Sequence, residues 1–434
     1  MKKLLTFSIV FALVCATAFA EVTVTAGAGM SFIPLGIQVP EEGDAEAVAG
    51  FGRNGGNTTE IQVNVEGATE SGKAGFKFQW RPKISGGALK ADELGDNAGI
   101  WYKPLDIIRI DAGRFVNNDI RGKVGNGAWF GDYTINRANE SDIFKNFDAK
   151  AAVMLSAKPI EGLSVYALVN NMTETYNNNP DKINNTTVAS KGAQFVWENT
   201  QFAVAYALPN IGVVRLQYIG AHPSADLPAI ANSKFELAFA YTGMEGLTLD
   251  VGGGFSLPFE DVHTVPANVW EDGTLIKPEG KYFPGITAGL GVKYATGPLT
   301  ANLILGGTFA QTWEGEQHGA DMKYEGAFRL RPYVAVQYKL NDTFTAQVEG
   351  GFDFYGDSKF SGDSLDITGK GGLNYGFGAG LQTTLAPDCT IKVGITYADG
   401  EHPTAIGDNF PSADIDATKL TGAFSVPIIF SVSF

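Results

Sequence analysis

The chain runs to 434 residues with 32 basic against 47 acidic side chains, a formal charge of −15. That surplus of acid excludes a nucleic-acid backbone as partner, because such sites need clustered cations to displace counterions. Glycine fills 54 positions, well above the usual ~7%. No phosphate-binding glycine motif goes with it, so the excess is architectural.

Lys2 and Lys3 precede an apolar run from Leu4 to Val14 and then Ala18, Phe19 and Ala20 before Glu21. This is the pattern of a secretory signal peptide spanning residues 1–20. The run is shorter than the ~20 apolar residues a membrane helix needs, and no later stretch matches it. Cys15 raises a lipoprotein cleavage site as an alternative, against which Val14 is larger than the small residue preferred there. With only Cys389 left after cleavage, an exported chain forms no internal disulfide.

From Val22 the pattern has period two: Val22, Val24, Ala26, Ala28, Met30 and Phe32 alternate with Thr23, Thr25, Gly27, Gly29 and Ser31. That is a strand with one apolar face. The same reading recurs at Ile61, Val63 and Val65 and at Phe76, Phe78 and Trp80. Eight hairpins follow along the chain, closed at Ala68 to Gly72, Lys103 to Asp106, Lys158 to Gly162, Pro209 to Gly212, Thr242 to Gly246, Thr296 to Pro298, Asn341 to Thr343 and Ala386 to Cys389. Their Gly, Pro, Asn and Asp residues supply the backbone angles of tight turns.

Connections between hairpins are long, from about 12 residues (221–232) to about 31 (116–146). Eight hairpins with a first and a last strand (Leu420 to Phe434) predict 18 strands in strict alternation of short turns and long loops. Outer-membrane barrels sort their connections in this way, with short turns on the periplasmic side. The expected fold is therefore all-β: a transmembrane, antiparallel, up-and-down β-barrel over residues 21–434.

The two faces differ as a membrane requires. Phe235, Leu237, Phe239 and Tyr241, or Phe328, Leu330, Val334, Val336 and Tyr338, form an apolar face, with Arg114 as its one charge, placed to snorkel at a strand's outer end. Tyr102, Tyr206, Tyr241, Tyr294 and Tyr338 sit on that face just before short turns, where an interfacial aromatic girdle belongs. The opposite face carries Lys77, Arg81, Arg109, Lys150, Arg215, Lys293, Arg329, Arg331, Lys339 and Lys392 with Glu60, Glu66, Asp111, Asp148, Glu236, Asp250, Glu349 and Asp353. A polar wall of both signs suits a water-filled lumen, since 18 strands enclose more space than side chains fill.

With its final strand ending Phe430-Ser431-Val432-Ser433-Phe434, and the hairpin around Ile100-Trp101-Tyr102-Lys103-Pro104-Leu105-Asp106 running on to Gly113-Arg114-Phe115, the chain resembles Gram-negative outer-membrane porins. The Pro-Glu-Phe-Gly-Gly run of the general porins' third loop does not occur. The resemblance implies that Phe434 is the assembly signal read by the barrel-assembly machinery. It also implies outer-membrane lipids and small hydrophilic solutes as partners, and a homotrimer. In general porins the third loop folds inward, which would make 116–146 a constriction loop. Trp129 and Phe130 would anchor it, and Asp119 and Asp132 among its acids would face Arg81, Arg109 and Arg329. The alternative is a loop over the mouth.

His222, His263, His318 and His402 fall in loops without metal-ligand spacing, and no set of nucleophile, base and orienting group can be recognised. No cofactor, metal or enzymatic activity is therefore expected. Acids in external loops (Glu41, Glu42, Asp44, Glu46, and Asp399, Glu401, Asp408, Asp414, Asp416) are read as solvated surface charge, the alternatives being calcium bound between neighbouring molecules or a shaping of the entrance potential. The function expected is passive diffusion of small hydrophilic solutes and ions through an outer-membrane channel. The rival is a surface adhesin or structural barrel whose long loops bind other proteins.

Overall fold

The computed structural model describes residues 21–40, 43–51, 57–85, 88–90, 94–117, 122–125, 127–133, 147–170, 200–221, 232–258, 279–283, 285–309, 312–317, 320–326, 328–362, 365–400 and 420–433. Residues 1–20, expected to be a signal peptide, lie outside the described residues, as do the four histidines, Glu41, Glu42, Asp119, Glu401, Asp408, Asp414, Asp416 and Phe434.

Eighteen strands close into one antiparallel barrel. They are β1 (Glu21–Pro40), β2 (Asn57–Ala68), β3 (Ala74–Trp80), β4 (Leu94–Leu105), β5 (Ile108–Asn117), β6 (Phe147–Ala157), β7 (Leu163–Asn170), β8 (Thr200–Leu208), β9 (Gly212–Ala221), β10 (Asn232–Met244), β11 (Leu247–Pro258), β12 (Gly285–Thr296), β13 (Leu299–Phe309), β14 (Phe328–Lys339), β15 (Phe344–Tyr355), β16 (Gly372–Ala386), β17 (Cys389–Gly400) and β18, in two parts, Leu420–Ser425 and Ile428–Ser433. β1 pairs with β2 on one edge and β18 on the other, so no edge is left open. Closure matters because an unpaired backbone amide or carbonyl in hydrocarbon costs several kcal/mol, of order 2–7 by transfer measurements. β18 breaks at Pro427, which has no N–H to give; its carbonyl instead accepts from the Gly394 amide at 3.1 Å.

All eight short turns fall where the Gly, Pro, Asn and Asp clusters put them. Asn210 takes a left-handed φ of 58° in one, a conformation that asparagine tolerates better than most residues. The long connections hold more order than their composition suggests. Glu46–Phe51 pairs with β1, and Lys83–Ser85 with Ala88–Lys90 forms a hairpin on β2. Glu279–Phe283, Thr312–Gln317, Ala320–Glu325, Ser358–Gly362 and Leu365–Gly369, from three successive connections, build a separate five-stranded sheet. Within it Lys323 lies 3.4 Å from Glu314 and 2.5 Å from Glu325. The hydrogen bond from Lys323 holds the Glu325 carboxyl below its usual range.

Alternation assigns the faces. Leu237, Val348, Phe377 and Ile395 lie outward and more than half exposed, while their neighbours Glu236, Ala238, Glu349 and Thr396 are buried on the inner side. Tyr102, Tyr206, Tyr294 and Tyr338 stand exposed on the outer face at the short-turn ends. Towards the other end an aromatic row crosses the strands, Phe202 to Tyr218 to Phe235 to Phe255, with ring centroids 6.2, 5.1 and 5.3 Å apart. Phe309, Phe328 and Phe354 continue it at 6.1 and 5.3 Å. On β14 ten residues separate Phe328 from Tyr338, about 33 Å along a strand at ~3.3 Å per residue. Tilted by ~40°, that is about 25 Å along the membrane normal, the height of the apolar band in such barrels.

Asp399 falls within β17 rather than in an external loop. Its carboxylate accepts hydrogen bonds from the Tyr375 and Tyr397 hydroxyls at 3.1 and 2.7 Å. Cys389 opens β17 beside the last short turn and is a free thiol. If the short turns face the periplasm, a membrane-impermeant maleimide leaves Cys389 unlabelled in intact cells and labels a Glu314→Cys variant in the added sheet. Labelling of Cys389 from outside would invert the orientation.

Candidate functional site: a loop segment clasped inside the barrel

The connection between β5 and β6 sends residues 122–125 and 127–133 across the inner wall, and two wall carboxylates hold it by its backbone. Asp250 on β11 accepts from the Lys123 and Val124 amides, Oδ2 lying 2.5 and 2.6 Å from the nitrogens. Glu349 on β15 accepts from the Trp129 amide through Oε2 at 2.7 Å and from the Phe130 amide through Oε1 at 2.8 Å. A loop offers a run of unpaired N–H groups that a carboxylate satisfies two at a time, and such charge-assisted bonds are about twice as strong as neutral ones.

Between the clasps, the Gly127 carbonyl accepts from Gln337 Nε2 at 3.3 Å and Gln347 Nε2 at 3.1 Å. Gln347 also donates to Glu349, tying the two contacts together. Gly127 has φ +70° and lies against the Asn302 side chain, so a Cβ there would meet both strain and a clash.

Packing reinforces the hydrogen bonds. Phe130 is fully buried beside Ile33 and Tyr133, in a niche floored by Gly378, Gly380 and Gly394, where a Cβ on Gly380 would fall 2.6 Å from its ring. The register aligns this floor, pairing Gly378 with Glu349 and Gly380 with Gly394. Val124 seats on Gly291 among Ile304, Tyr333 and Ala335. Trp129 meets Phe130 edge-on at 6.3 Å and takes the Lys392 ammonium over its ring at 5.4 Å.

Of the expected lumen cations, five are engaged with acids of the same wall. Arg81 lies 3.5 Å from Glu60 and bonds Gln62. Arg109 chelates Asp111, and Arg329 chelates Asp353. These partners are cross-strand for Arg81 and Arg329 and same-strand for Arg109; Asp119, Glu140, Asp142 and the side chain of Asp132, the loop acids expected to face these arginines, lie outside what the structure describes. Lys77 meets Glu66 at 2.6 Å, and buried Arg215 meets Asp250 at 3.5 Å. Lys293 is exposed, Arg331 is half-buried, and Lys150 lies within β6. Asp132 lies in the 3-10 turn Gly131–Tyr133.

Arg114 departs from its expected place on the lipid face. Gly113 has φ +124° and the β5–β6 register shifts beside it, which turns Arg114 toward the recess lined by Lys77, Arg109, Asp111 and Met154. Glycine alone makes this reversal cheap. The residues that alternation did not single out are Lys123, Val124, Gly127 and Gln347.

No family model matches the sequence, and no curated protein matches it. Among solved structures, the barrel superposes on the outer membrane protein OpdK from Pseudomonas aeruginosa with a TM-score of 0.50 at 9% identity, over 96% of this chain and 100% of that one. OccD3 (OpdP) of Pseudomonas aeruginosa gives 0.49 at 10%, covering 96% and 92%. An anion-selective porin from Comamonas acidovorans gives 0.48 at 10%, covering 95% and 100%. At these identities the likeness is one of fold: the chain has the closed antiparallel barrel fold of these outer-membrane proteins.

Proposed function

We propose that this porin-type barrel is an outer-membrane channel through which small hydrophilic solutes and ions diffuse passively. The observation that carries the reading is the clasped segment 122–133, held to the inner wall by Asp250 and Glu349 and by the Phe130 niche. A wall that served only to seal a structural barrel has no need of a backbone segment fixed against it. A pore that sorts by size needs its narrowing element held still, because selectivity depends on bore and lining charge. The function proposed is passage, without a chemical step.

Purified barrel in a planar bilayer is expected to insert in uniform steps of ohmic conductance in potassium chloride. Correctly folded protein that inserts without conducting would overturn the channel reading. The rival, a barrel whose loops bind other proteins, has in its favour the five-stranded sheet built from three connections, and a silent barrel would turn attention to that sheet.

A further inference from the structure

We propose that the short-turn end of the lumen holds a binding site for a small organic anion, a carboxylate or phosphate joined to a compact apolar body. The proposal deepens the channel reading and depends on it only for the route by which the ligand arrives. A recess of about 500 Å³ opens there, and a second of about 420 Å³ adjoins it, sharing Lys77, Trp101 and Arg109. Ligand pockets usually span ~300–1,000 Å³.

Charge selects an anion. Five cations line the larger recess against two acids, Asp106 and Asp111. Lys77 and Arg109 are already matched to Glu66 and Asp111. The surplus falls on Lys103, Arg114 and Lys158. Arg114 is the decisive group, for its Nε is buried and has no hydrogen-bond partner. The wall gives this guanidinium no acceptor at Nε, and an oxyanion in the recess that Arg114 lines meets the charge left unmatched there.

Shape and polarity select an organic ion over an inorganic one. Trp101, Phe115, Met154 and Tyr166 line the same recess. Trp101 lies flat across Gly75, where any Cβ would strike the indole, and so presents a platform along the wall. The Arg109 guanidinium and the Lys103 ammonium stand 4.8 and 5.3 Å from its ring centre. A hydrated inorganic anion gains nothing from these apolar faces, whereas an apolar body buries surface against them.

The test uses the full barrel folded in detergent micelles, with benzoate and phenyl phosphate as probes. Benzamide supplies the ring without the charge; acetate and inorganic phosphate supply the charge without the ring. Saturation-transfer NMR reads binding, and current blockade in a bilayer reads it independently. Benzoate or phenyl phosphate is expected to bind at least tenfold more tightly than all three controls, and which of the two binds better identifies the anionic group. Arg114→Gln, which breaks no existing pair, is expected to weaken binding about tenfold, and Trp101→Leu to weaken it severalfold. Equal binding of benzamide or inorganic phosphate, or binding unchanged in Arg114→Gln, would overturn the site. Binding that persists in a barrel that does not conduct would support the site while removing the channel reading.

Discussion

A barrel carrying Phe130→Ala and Glu349→Ala is expected to conduct about twofold more per channel than the parent and to admit larger neutral sugars. Glu349 holds the amides of Trp129 and Phe130, and the Phe130 side chain is seated in the glycine niche. Each charged hydrogen bond contributes ~1.5–3 kcal/mol at most, and truncating a fully buried phenylalanine costs ~3–5 kcal/mol in a core. The released amides reach lumen water, so the hydrogen-bond share is smaller than in a dry interior. The combined loss still exceeds the ~1.4 kcal/mol that separates a tenfold change in population. An independent variant attacks the same contact from the wall: Gly394→Val places methyl groups where the Phe130 ring lies and is expected to widen the pore without touching the loop. Unchanged conductance and sugar cut-off in both folded variants would mean that segment 122–133 does not set the bore.

Strands and turns were legible in the sequence because both are local. Period two follows from the pleat, as at Phe328 to Tyr338, and each short turn carries residues suited to its backbone angles. The added sheet was not legible, because its strands run only five or six residues and pair across three separate connections. Nor were the two clasps, since Asp250 and Glu349 stand 126 and 219 residues from Val124 and Phe130, a separation that no spacing rule bridges. Arg114 was misplaced because a single positive φ at Gly113 resets which side of the wall the chain presents. One signal for the niche was available. Gly376, Gly378 and Gly380 fall on one face of β16 opposite Gly394, and alternate glycines on a strand leave a groove that something must fill.

The face assignment itself predicts the largest loss of stability. Val334 on β14 lies outward and about two-fifths exposed, between Phe328 and Tyr338 of the two girdles, and Val348 on β15 lies outward and more than half exposed. Arginine at a lipid-facing midplane position costs ~2–4 kcal/mol, so the double variant Val334→Arg with Val348→Arg is expected to lose ~4–8 kcal/mol of folding stability in a bilayer. Arginine at Thr300, which pairs with Gln337 on the inner face, enters a wetted wall and is expected to change stability by no more than ~0.5 kcal/mol, as at most surface sites. The measurement is the urea midpoint of reversible folding into lipid vesicles, read by tryptophan fluorescence and by migration on unheated gels. Equal losses from the two classes of substitution would show that the inner and outer faces are wrongly assigned. A large loss confined to the outward pair would tie the period-two pattern of the sequence directly to the bilayer as its solvent.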